Sequence, residues 1–342
     1  MARRPPAVSR VLERVTATVR EHDMLAPGDL VMVMVSGGPD SVCLLHSLHL
    51  LRRLFRIRPA VVHVDHRLRP DSAKDAAYVR RMAAGLGAPF VLRTATGKPQ
   101  PGESVEAWAR TIRYAAATDA AREAGAARLA VGHTLDDQAE TVLIQLVRGA
   151  GPRGIAGMRP AAPHVVRPLI DVRRQEVEAF CRALHLRPRR DPTNADTRLL
   201  RNAIRLEVIP TLERASGRDV KGPIARSARL LRQDLDRFGP PASDEALPRA
   251  AEPVEDGYLL YLQRFPDEAF QGRLVASLLR EMDAPVTAAT IDAVLDLAVG
   301  RPGRRRDLGG GLIAVRDREY IRLSRTSPGV RKPSASRGQG EF

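Results

Sequence analysis

The sequence predicts an α/β fold: a doubly wound, five-stranded parallel sheet followed by a second, smaller and mainly helical domain. Two observations lead to this prediction. Short apolar runs without polar alternation, such as Val31–Val35, are typical of strands buried on both faces of a parallel sheet. Segments with helical periodicity separate these runs, and strands that alternate with helices form parallel sheets with right-handed crossovers.

Each element is predicted from its own pattern. Residues 8–22 carry an apolar stripe at helical spacing and predict an N-terminal helix. The strands are predicted at Val31–Val35, Ala60–Val64, Phe90–Thr94, Leu129–Gly132 and Val165–Arg167. The helices after them are predicted at Asp40–Phe55, Ser72–Leu86, Ser104–Ala124, Leu135–Val147 and Arg173–Leu184.

The remaining chain is predicted to form a smaller unit. Helical patterns at Ile224–Phe238, Phe270–Met282 and Ala288–Ala298 precede a hairpin-like end at Gly309–Val315 and Glu319–Leu323. The expected limits are an N-terminal arm at 1–28, the sheet domain at 29–198, a connecting helix at 199–215, the second domain at 216–325 and a disordered tail at 326–342.

Composition narrows the class of protein. The 342 residues include 55 Lys and Arg against 40 Asp and Glu, and the net charge of +15 favours a polyanionic partner. Aromatic residues make up only 4%, which argues against an extended platform for stacking bases. The sequence shows neither a leader peptide nor a membrane-spanning run, so we expect a cytoplasmic protein without a membrane partner.

The first strand ends in a glycine turn that suits an anion. Ser36-Gly37-Gly38-Pro39-Asp40-Ser41 leads from a buried strand into a helix. Glycines leave their amides bare, and a helix N-terminus adds a positive dipole end, which together favour phosphate. The alternative is an ordinary strand-to-helix turn. Asp40 would repel phosphate unless a divalent cation lay between them, so the turn also predicts Mg²⁺.

Polar residues follow other strands at the same edge of the sheet, where ligands bind in such folds. His63 and Asp65 close the second strand, and this segment could either contact the nucleotide or form a solvent-facing polar loop. On the helix from Ser104, Arg110 and Arg113 could hold phosphate or a substrate carboxylate, or form an exposed salt-bridge ladder.

The helix after the fourth strand opens with two acids. Asp136 and Asp137 could complete a Mg²⁺ site with Asp40, or they could simply favour the helix dipole. His133 could contact phosphate or act as an acid or base. Arg148, Arg153, Arg201 and Arg205 lie in basic stretches that could touch RNA phosphates or be ordinary exposed arginines.

In this order, the motifs resemble those of the tRNA(Ile)-lysidine synthase family, which is part of the PP-loop (N-type ATP pyrophosphatase, adenine-nucleotide α-hydrolase-like) superfamily. The matching stretches are Ser36–Ser41, His63–Arg69, Glu103–Ala116, Gly132–Thr141, Arg148–Met158, Arg167–Phe180 and Asp191–Leu212. Ser-Gly-Gly-x-Asp-Ser alone marks the superfamily, whereas the later motifs are specific to the family. Thr134 departs from the family's frequent second histidine, and the chain looks too short for the extra terminal domain of longer members.

The resemblance implies ATP-dependent ligation of free L-lysine to carbon 2 of the wobble cytidine, in an isoleucine tRNA with a CAU anticodon. The cytidine is adenylated with release of pyrophosphate, and lysine then displaces AMP. The implied catalytic residues are Asp40, His133, Asp137 and Arg113. The implied ATP-binding residues are Ser36, Gly37, Gly38, Pro39, Asp40, Ser41, His63 and Asp65. Asp40, Asp136 and Asp137 would bind Mg²⁺, and Arg148, Arg153, Arg201 and Arg205 would bind tRNA.

Three rival functions remain open. A PP-loop sulfur transferase would need reactive or cluster-binding cysteines, and Cys43 and Cys181 lie in predicted helix interiors without a CxxC motif. An amidotransferase that acts on a free nucleotide would leave the basic charge unexplained. A non-catalytic RNA-binding protein is the third. The oligomeric state also stays open, with a homodimer as one alternative.

Overall fold

The computed structural model describes residues 4–65, 72–94, 105–189, 197–237, 247–265 and 267–325, without the side chains of 105–107, 237, 268 and 269. By contact clustering, the chain divides into two units. The first comprises residues 1–148 and 152–231, and the second comprises 149–151 and 232–342. Each unit is built around its own five-stranded sheet.

The first unit alternates strands and helices as predicted. Its strands are β1 (Leu30–Met34), β2 (Arg58–Asp65), β3 (Phe90–Thr94), β4 (Arg128–Ala130) and β5 (Val165–Val166). Its helices are α1 (Pro6–Glu21), α2 (Pro39–Phe55), α3 (Ser72–Gly85), α4 (Val105–Glu123), α5 (Leu135–Val147), α6 (Pro152–Ile155) and α7 (Arg174–Ala183), then α8 (Leu200–Ala203), a π-helical turn (Ile204–Val208) and α9 (Ile209–Ser216). Helix α10 (Lys221–Arg237) follows.

The sheet of the first unit has the order β3-β2-β1-β4-β5, and each pair of neighbouring strands in it is parallel. The chain runs outward from β1 to β3 and then crosses to the other side of β1 at β4. The turn after β1 therefore lies at the point where the strand order reverses, which is where ligands bind in open α/β sheets. The predicted five-stranded, doubly wound sheet is confirmed.

Both faces of this sheet are buried, which explains the lack of polar alternation in its strands. Along β1, Val31 and Val33 pack into one apolar cluster, and Met32 packs into another on the opposite face. Helices α1, α2 and α7 contribute to the first cluster, and α4 contributes to the second. The predicted N-terminal helix therefore packs on the sheet unit, where Val11 and Val15 are fully buried.

The second unit combines helices with an antiparallel sheet in the order β6-β7-β10-β9-β8. Its elements are α11 (Leu247–Ala250), β6 (Ala251–Val254), β7 (Gly257–Leu260), a 3₁₀ turn (Leu262–Arg264), α12 (Glu268–Glu281), α13 (Ala288–Ala298), β8 (Arg305–Gly309), β9 (Leu312–Arg316) and β10 (Ile321–Arg325). The predicted end hairpin corresponds to β9 and β10. The sheet is larger than the sequence indicates, because β6, β7 and β8 extend it.

At Gly132, the segment after β4 packs closely against the first turn of α2. A Cβ at this position would lie 3.1 Å from both the carbonyl carbon and the carbonyl oxygen of Asp40, and 3.2 Å from the amide of Ser41. The segment after β4 can therefore carry no side chain here unless the first turn of α2 moves. The sequence analysis placed Gly132 at the end of the fourth predicted strand. The close contact with α2 explains why a residue without a side chain occupies this position.

We expect Gly132→Ala to lower the free energy of unfolding by about 1–3 kcal/mol, because the added methyl group meets backbone atoms that cannot rotate away. Chemical denaturation measures the change. Gly85→Ala is the matched control: a Cβ there has nothing within 4 Å, and alanine suits the helix better than glycine. Equal stability of the two variants would show that the contact at Gly132 relaxes without cost.

Candidate active site

The glycine turn joins β1 to α2 through an unusual backbone conformation. Gly37 has φ +96°, a value that favours glycine, and Gly38 is the extended N-cap residue of α2. The Gly37 amide donates to Ser41 Oγ at 3.2 Å, and the Gly38 amide donates to Ser36 Oγ at 3.4 Å. The first N–H groups of an α-helix have no acceptor within the helix, and among the described residues no side chain caps α2.

This arrangement only partly matches the predicted set of bare amides. Two glycine amides already reach hydroxyl groups of the turn itself, at long distances for hydrogen bonds. Beyond them, the N-terminus of α2 keeps its positive dipole end and lacks a side-chain cap. The turn therefore still has the features of an anion site, although the Ser41 hydroxyl itself donates to the Gly38 carbonyl oxygen at 3.0 Å.

Asp40 is the charged group closest to this turn along the chain. Its Oδ1 atom is buried and has no hydrogen-bond partner in the part of the chain that the structure describes, and its Oδ2 atom lies 3.9 Å from Arg174 Nε. Burial, with a further contribution from the charge of Asp137, raises the pKa of Asp40 to about 7. An ionised Asp40 is thus costly in this environment until a positive charge arrives.

The start of α5 is fixed by a capping box. Thr134 is the N-cap residue, and its Oγ1 accepts from the Asp137 amide at 3.3 Å. In return, Asp137 Oδ2 accepts from the Thr134 amide and hydroxyl, both at 2.8 Å. Thr134, the departure from the family pattern, therefore has a structural role as the helix cap.

Asp137 directs its other oxygen at Arg174, whose Nη2 donates to Oδ1 at 3.0 Å. Burial alone would raise the pKa of Asp137, but Arg174 and other neighbours lower it to about 2. Asp137 is therefore a charged carboxylate, held by α5 and by the first residue of α7.

Glu140 lies one turn further along α5 and is the most enclosed acid of the site. Its side chain is only 1% exposed. Arg174 donates to it at 3.3 Å, Arg201 at 2.9 Å, and Arg205 through two nitrogens at 2.6 and 3.0 Å. A single carboxylate thus orients three arginines that come from α7, from α8 and from the π-helical turn.

Asp136 faces a different set of partners. Its Oδ2 accepts from the Arg174 amide at 2.8 Å and so caps α7, while its Oδ1 lies 3.4 Å from Lys221 Nζ. This carboxylate therefore joins the first turns of α5, α7 and α10.

His133 precedes the cap of α5 and is held from the side by Arg167. The Arg167 Nε donates to His133 Nδ1 at 3.1 Å, and Tyr114 on α4 stacks near the imidazole with ring centroids 6.5 Å apart. Burial lowers the pKa of His133 to about 3, against the opposing effect of Asp137 and with Arg167 contributing in the same direction. His133 is therefore neutral at physiological pH.

Three other predicted residues lie on β2 and α4 of the first unit. His63 is buried on β2, where its Nδ1 is 2.7 Å from the Val35 carbonyl oxygen at the end of the neighbouring strand. Asp65 ends β2 and Arg113 lies on α4, both half-buried. Of the other predicted stretches, residues 66–69, Glu103 and Ser104, and residues 191–196 lie outside the described residues.

The four predicted RNA contacts divide into two pairs. Arg148, at the C-cap of α5, and Arg153, on α6, are exposed. Arg201 and Arg205 instead direct their guanidinium groups at buried Glu140. To contact tRNA directly, Arg201 and Arg205 would have to bind it while still paired with Glu140, or break their ion pairs with Glu140.

Sequence reasoning assigned no role to Glu140, Arg174, Arg167 or Lys221. A local signal existed for part of this set: Asp136 and Glu140 are four residues apart on a helix, as are Arg201 and Arg205, so each pair shares a face. Arg174 and Arg167 had no such signal, because the side chains of the site that they contact lie at least 34 residues away in the chain.

Comparison with known proteins identifies the family. A family model described as a PP-loop domain matches residues 9–212. The tRNA(Ile)-lysidine synthase of Dehalococcoides mccartyi is 34% identical over 331 residues, which cover 91% of this chain and 69% of that protein. The chain belongs to the tRNA(Ile)-lysidine synthase family.

Other relatives in the family match a shorter part of their own length. The tRNA(Ile)-lysidine synthase of Symbiobacterium thermophilum is 43% identical over 233 residues, which cover 66% of this chain and 48% of that protein. The Geobacter sulfurreducens protein of the same name is 40% identical over 267 residues, covering 73% of this chain and 54% of that protein. The matched part thus spans about half of several curated relatives.

A solved structure supports the fold alone. The U34-tRNA thiolase NcsA from Methanococcus maripaludis, a structure with its [4Fe-4S] cluster, superimposes with a TM-score of 0.54 at 19% identity. The match covers 66% of this chain and 80% of the thiolase. The lysidine synthase family and this thiolase therefore share a PP-loop architecture.

The residues present fit a Mg²⁺ ion that is bound together with phosphate. Within the described ranges, no three His, Cys, Asp or Glu side chains are grouped to hold a metal ion by themselves. Mg²⁺, however, is commonly held by one or two carboxylates together with water and substrate phosphates. The unpartnered Oδ1 of Asp40 suits such a ligand.

We expect Glu140→Gln to lower the free energy of unfolding by about 2–4 kcal/mol. The amide keeps the shape of the side chain but leaves three guanidinium groups without their shared counter-charge. Urea unfolding followed by circular dichroism measures the loss. Glu178→Gln is the control, because Glu178 makes an exposed i,i+4 pair with Arg182 and should change stability by less than about 0.5 kcal/mol. A loss in Glu140→Gln no larger than in this control would contradict the structural role of Glu140.

Asp40→Asn should be more stable than the wild type at pH 8, by about 1–3 kcal/mol. Asp40 has a raised pKa in the folded state, so the wild type loses stability as the pH rises from about 4 through about 7. The asparagine variant lacks this loss, and the two proteins should be equally stable near pH 4. Unfolding curves between pH 4 and 8, recorded with a chelator present, measure the difference. If the difference in unfolding free energy between the two proteins does not change with pH, the raised pKa of Asp40 is not its cause.

Proposed function

We propose that this chain joins L-lysine to carbon 2 of the wobble cytidine in an isoleucine tRNA with a CAU anticodon, with conversion of ATP to AMP and pyrophosphate. Membership of the lysidine synthase family supports this proposal, since relatives at 34–43% identity carry that name. We place the reaction in the cytoplasm.

The observation that carries the proposal is the position of Asp40. This acid lies in the first turn of α2, directly after the glycine turn at the reversal point of the sheet, and its buried Oδ1 has no hydrogen-bond partner among the described residues. A buried carboxylate oxygen without a hydrogen-bond partner is costly, and such groups concentrate at functional sites. A nucleotide phosphate with its cation would satisfy both the helix N-terminus and the acid.

In the first step, the carbon-2 oxygen of cytidine forms a bond to the α-phosphorus of ATP, and the bond to the β-phosphate oxygen breaks. Pyrophosphate leaves with the bonding electrons. The serine hydroxyls and first-turn amides at Ser36–Ser41 would bind phosphate oxygens, whose charge rises in the transition state. The predicted nucleotide contacts at Gly37, Gly38, Pro39, His63 and Asp65 belong to the same proposal.

In the second step, the ε-amino nitrogen of lysine forms a bond to carbon 2, and the bond from carbon 2 to the AMP oxygen breaks. The ammonium group of lysine must first transfer one proton to solvent water, which leaves the amine with the electron pair that forms the new bond. AMP leaves with the carbon-2 oxygen. The base then carries a nitrogen substituent at carbon 2 in place of its carbonyl oxygen.

We propose that Asp40 is the direct protein ligand of Mg²⁺, and that the ion neutralises phosphate charge when bound. Asp136 and Asp137 lie at the same site, but their oxygens are engaged by Arg174, Lys221 and Thr134. Their contribution to the cation would be to add negative charge around Asp40 rather than to offer free ligand atoms.

The arginines have separate proposed roles. Arg174 is proposed to compensate negative charge at the glycine turn, because its Nε lies 3.9 Å from Asp40 Oδ2. Arg113 remains a proposed catalytic residue. Exposed Arg148 and Arg153 are proposed tRNA contacts, and Arg201 and Arg205 would meet the tRNA only at the edge of the Glu140 cluster.

Sulfur transfer is the second candidate, because the thiolase shares the fold. The thiols of this chain argue against it. Cys43 and Cys181 are buried, and burial raises the pKa of Cys43 and raises that of Cys181 to about 12. A reactive cysteine needs the opposite shift, and this chain has only two cysteines for any cluster.

Purified protein should incorporate labelled lysine into a tRNA transcript with a wobble cytidine and should release pyrophosphate. A transcript in which uridine replaces that cytidine should give neither product. Asp40→Ala should lower both rates by about 100-fold or more, because it removes the proposed cation ligand. Asp119→Asn, which changes an exposed i,i+3 ion pair on α4, should leave both rates unchanged.

The same assay separates the rivals. Pyrophosphate release without lysine incorporation would favour another PP-loop reaction. Binding of the transcript without pyrophosphate release would favour a non-catalytic RNA-binding protein.

A further inference from the structure

Arg167 determines which nitrogen of the His133 imidazole accepts a hydrogen bond. Arg167 donates from Nε to His133 Nδ1 at 3.1 Å. The same arginine is anchored at its other end, where Nη1 donates to the Arg159 carbonyl oxygen at 2.7 Å. Arg167 follows β5 directly, and His133 lies after β4, the neighbouring strand. The contact therefore lies at the carboxyl edge of the sheet.

A guanidinium group has only donors, so the nitrogen that it contacts must supply a lone pair. His133 Nδ1 is therefore unprotonated. The proton of the neutral imidazole must then be on Nε2, and a doubly protonated ring would place an N–H against the Arg167 donor. The contact selects one of three possible forms of the ring.

The surroundings of the ring favour the same form. Arg110 and Arg201 add positive charge near the ring, Tyr114 covers it from α4, and Asp137 is the acid that opposes their effect. The low pKa of His133 agrees with this arrangement, because burial and the arginines disfavour the imidazolium ion.

We propose that Arg167 is a positioning residue that fixes His133 as the Nε2–H tautomer, so that His133 serves the reaction as a hydrogen-bond donor and not as a general base. The lone pair of His133 is already used by Arg167, and the remaining ring nitrogen already carries its proton. A phosphate oxygen of the nucleotide is the acceptor that suits an N–H at this edge of the sheet. The donor role rests on the proposed function, whereas the tautomer does not.

Long-range ¹H–¹⁵N spectra of the full chain, labelled at histidine nitrogen, test the tautomer. His133 is assigned from the signals that disappear in His133→Gln. The wild type should show a pyridine-type Nδ1 and a pyrrole-type Nε2 between pH 6 and 8. A pyrrole-type Nδ1, or a ring that titrates in this range, would overturn the proposal even if no variant of Arg167 folds.

Arg167→Met tests the assigned cause. This variant keeps much of the side-chain volume but removes the donor, so the His133 signals should become those of mixed tautomers or of a titrating ring. Arg167→Lys should restore the wild-type pattern in part, because an ammonium group can also donate. Arg128→Met is the matched control: Arg128 lies on β4 and donates to the carbonyl oxygens of Met24 and Pro163. A wild-type His133 pattern in Arg167→Met would refute the role of Arg167.

The rate of pyrophosphate release tests the donor role. The amide nitrogen of His133→Gln can replace Nε2–H as a donor but cannot act as a base. Its rate should stay within about tenfold of the wild type, with an unchanged pH profile, while His133→Ala should lose about 100-fold or more. Equal losses in the two variants would overturn the donor role. If the wild type itself releases no pyrophosphate with tRNA and lysine, the proposed function fails, and the tautomer is still decided by the spectra.

Discussion

The burial of Glu140 is the constraint on which the site depends. A carboxylate that is 1% exposed is stable only with full compensation, and three arginines provide it. These arginines come from α7, from α8 and from the π-helical turn, so the charge requirement of one side chain on α5 holds three separate segments against the sheet unit. Asp137 and Asp136 extend the network to the capping of α5 and α7.

The π-helical turn belongs to this network. It spans Ile204–Val208 and therefore begins between Arg201 and Arg205. Both arginines reach the same carboxylate, at 2.9 and 2.6 Å, although one lies in the preceding α-helical turn. Single π turns are rare and are frequent at functional sites. Here the π-helical turn occurs where the guanidinium groups of Arg201 and Arg205 both contact the carboxylate of Glu140.

Much of the first unit could be predicted from sequence, because its strands are apolar runs and its helices are periodic. The bounds of β3, α5 and α13 agree with the prediction at both ends. Strand β8 was not predicted, because three of its five residues are charged, and β6 contains both a glutamate and a proline. In the site, motif order located Asp40, His133 and Asp137, whereas the identity of their partners depends on contacts such as Arg174–Asp137 that no local window contains.

The state of the three predicted metal ligands limits how a cation can bind. Asp137 uses one oxygen for the Thr134 cap and the other for Arg174, and Asp136 pairs with the α7 amide and Lys221. Within the described ranges, Asp40 is the one of these three carboxylates that has a buried oxygen without a hydrogen-bond partner. One carboxylate oxygen is a weak site for Mg²⁺, which needs near-octahedral oxygen ligands. The missing ligands would have to come from phosphate and water.

A nucleotide at the glycine turn would in turn meet the charge of Asp40 unless the cation accompanied it. The cation compensates the charge of Asp40 beside the nucleotide, and the nucleotide supplies the phosphate ligands that the cation lacks. We therefore infer that the site accepts the cation and the nucleotide as a pair.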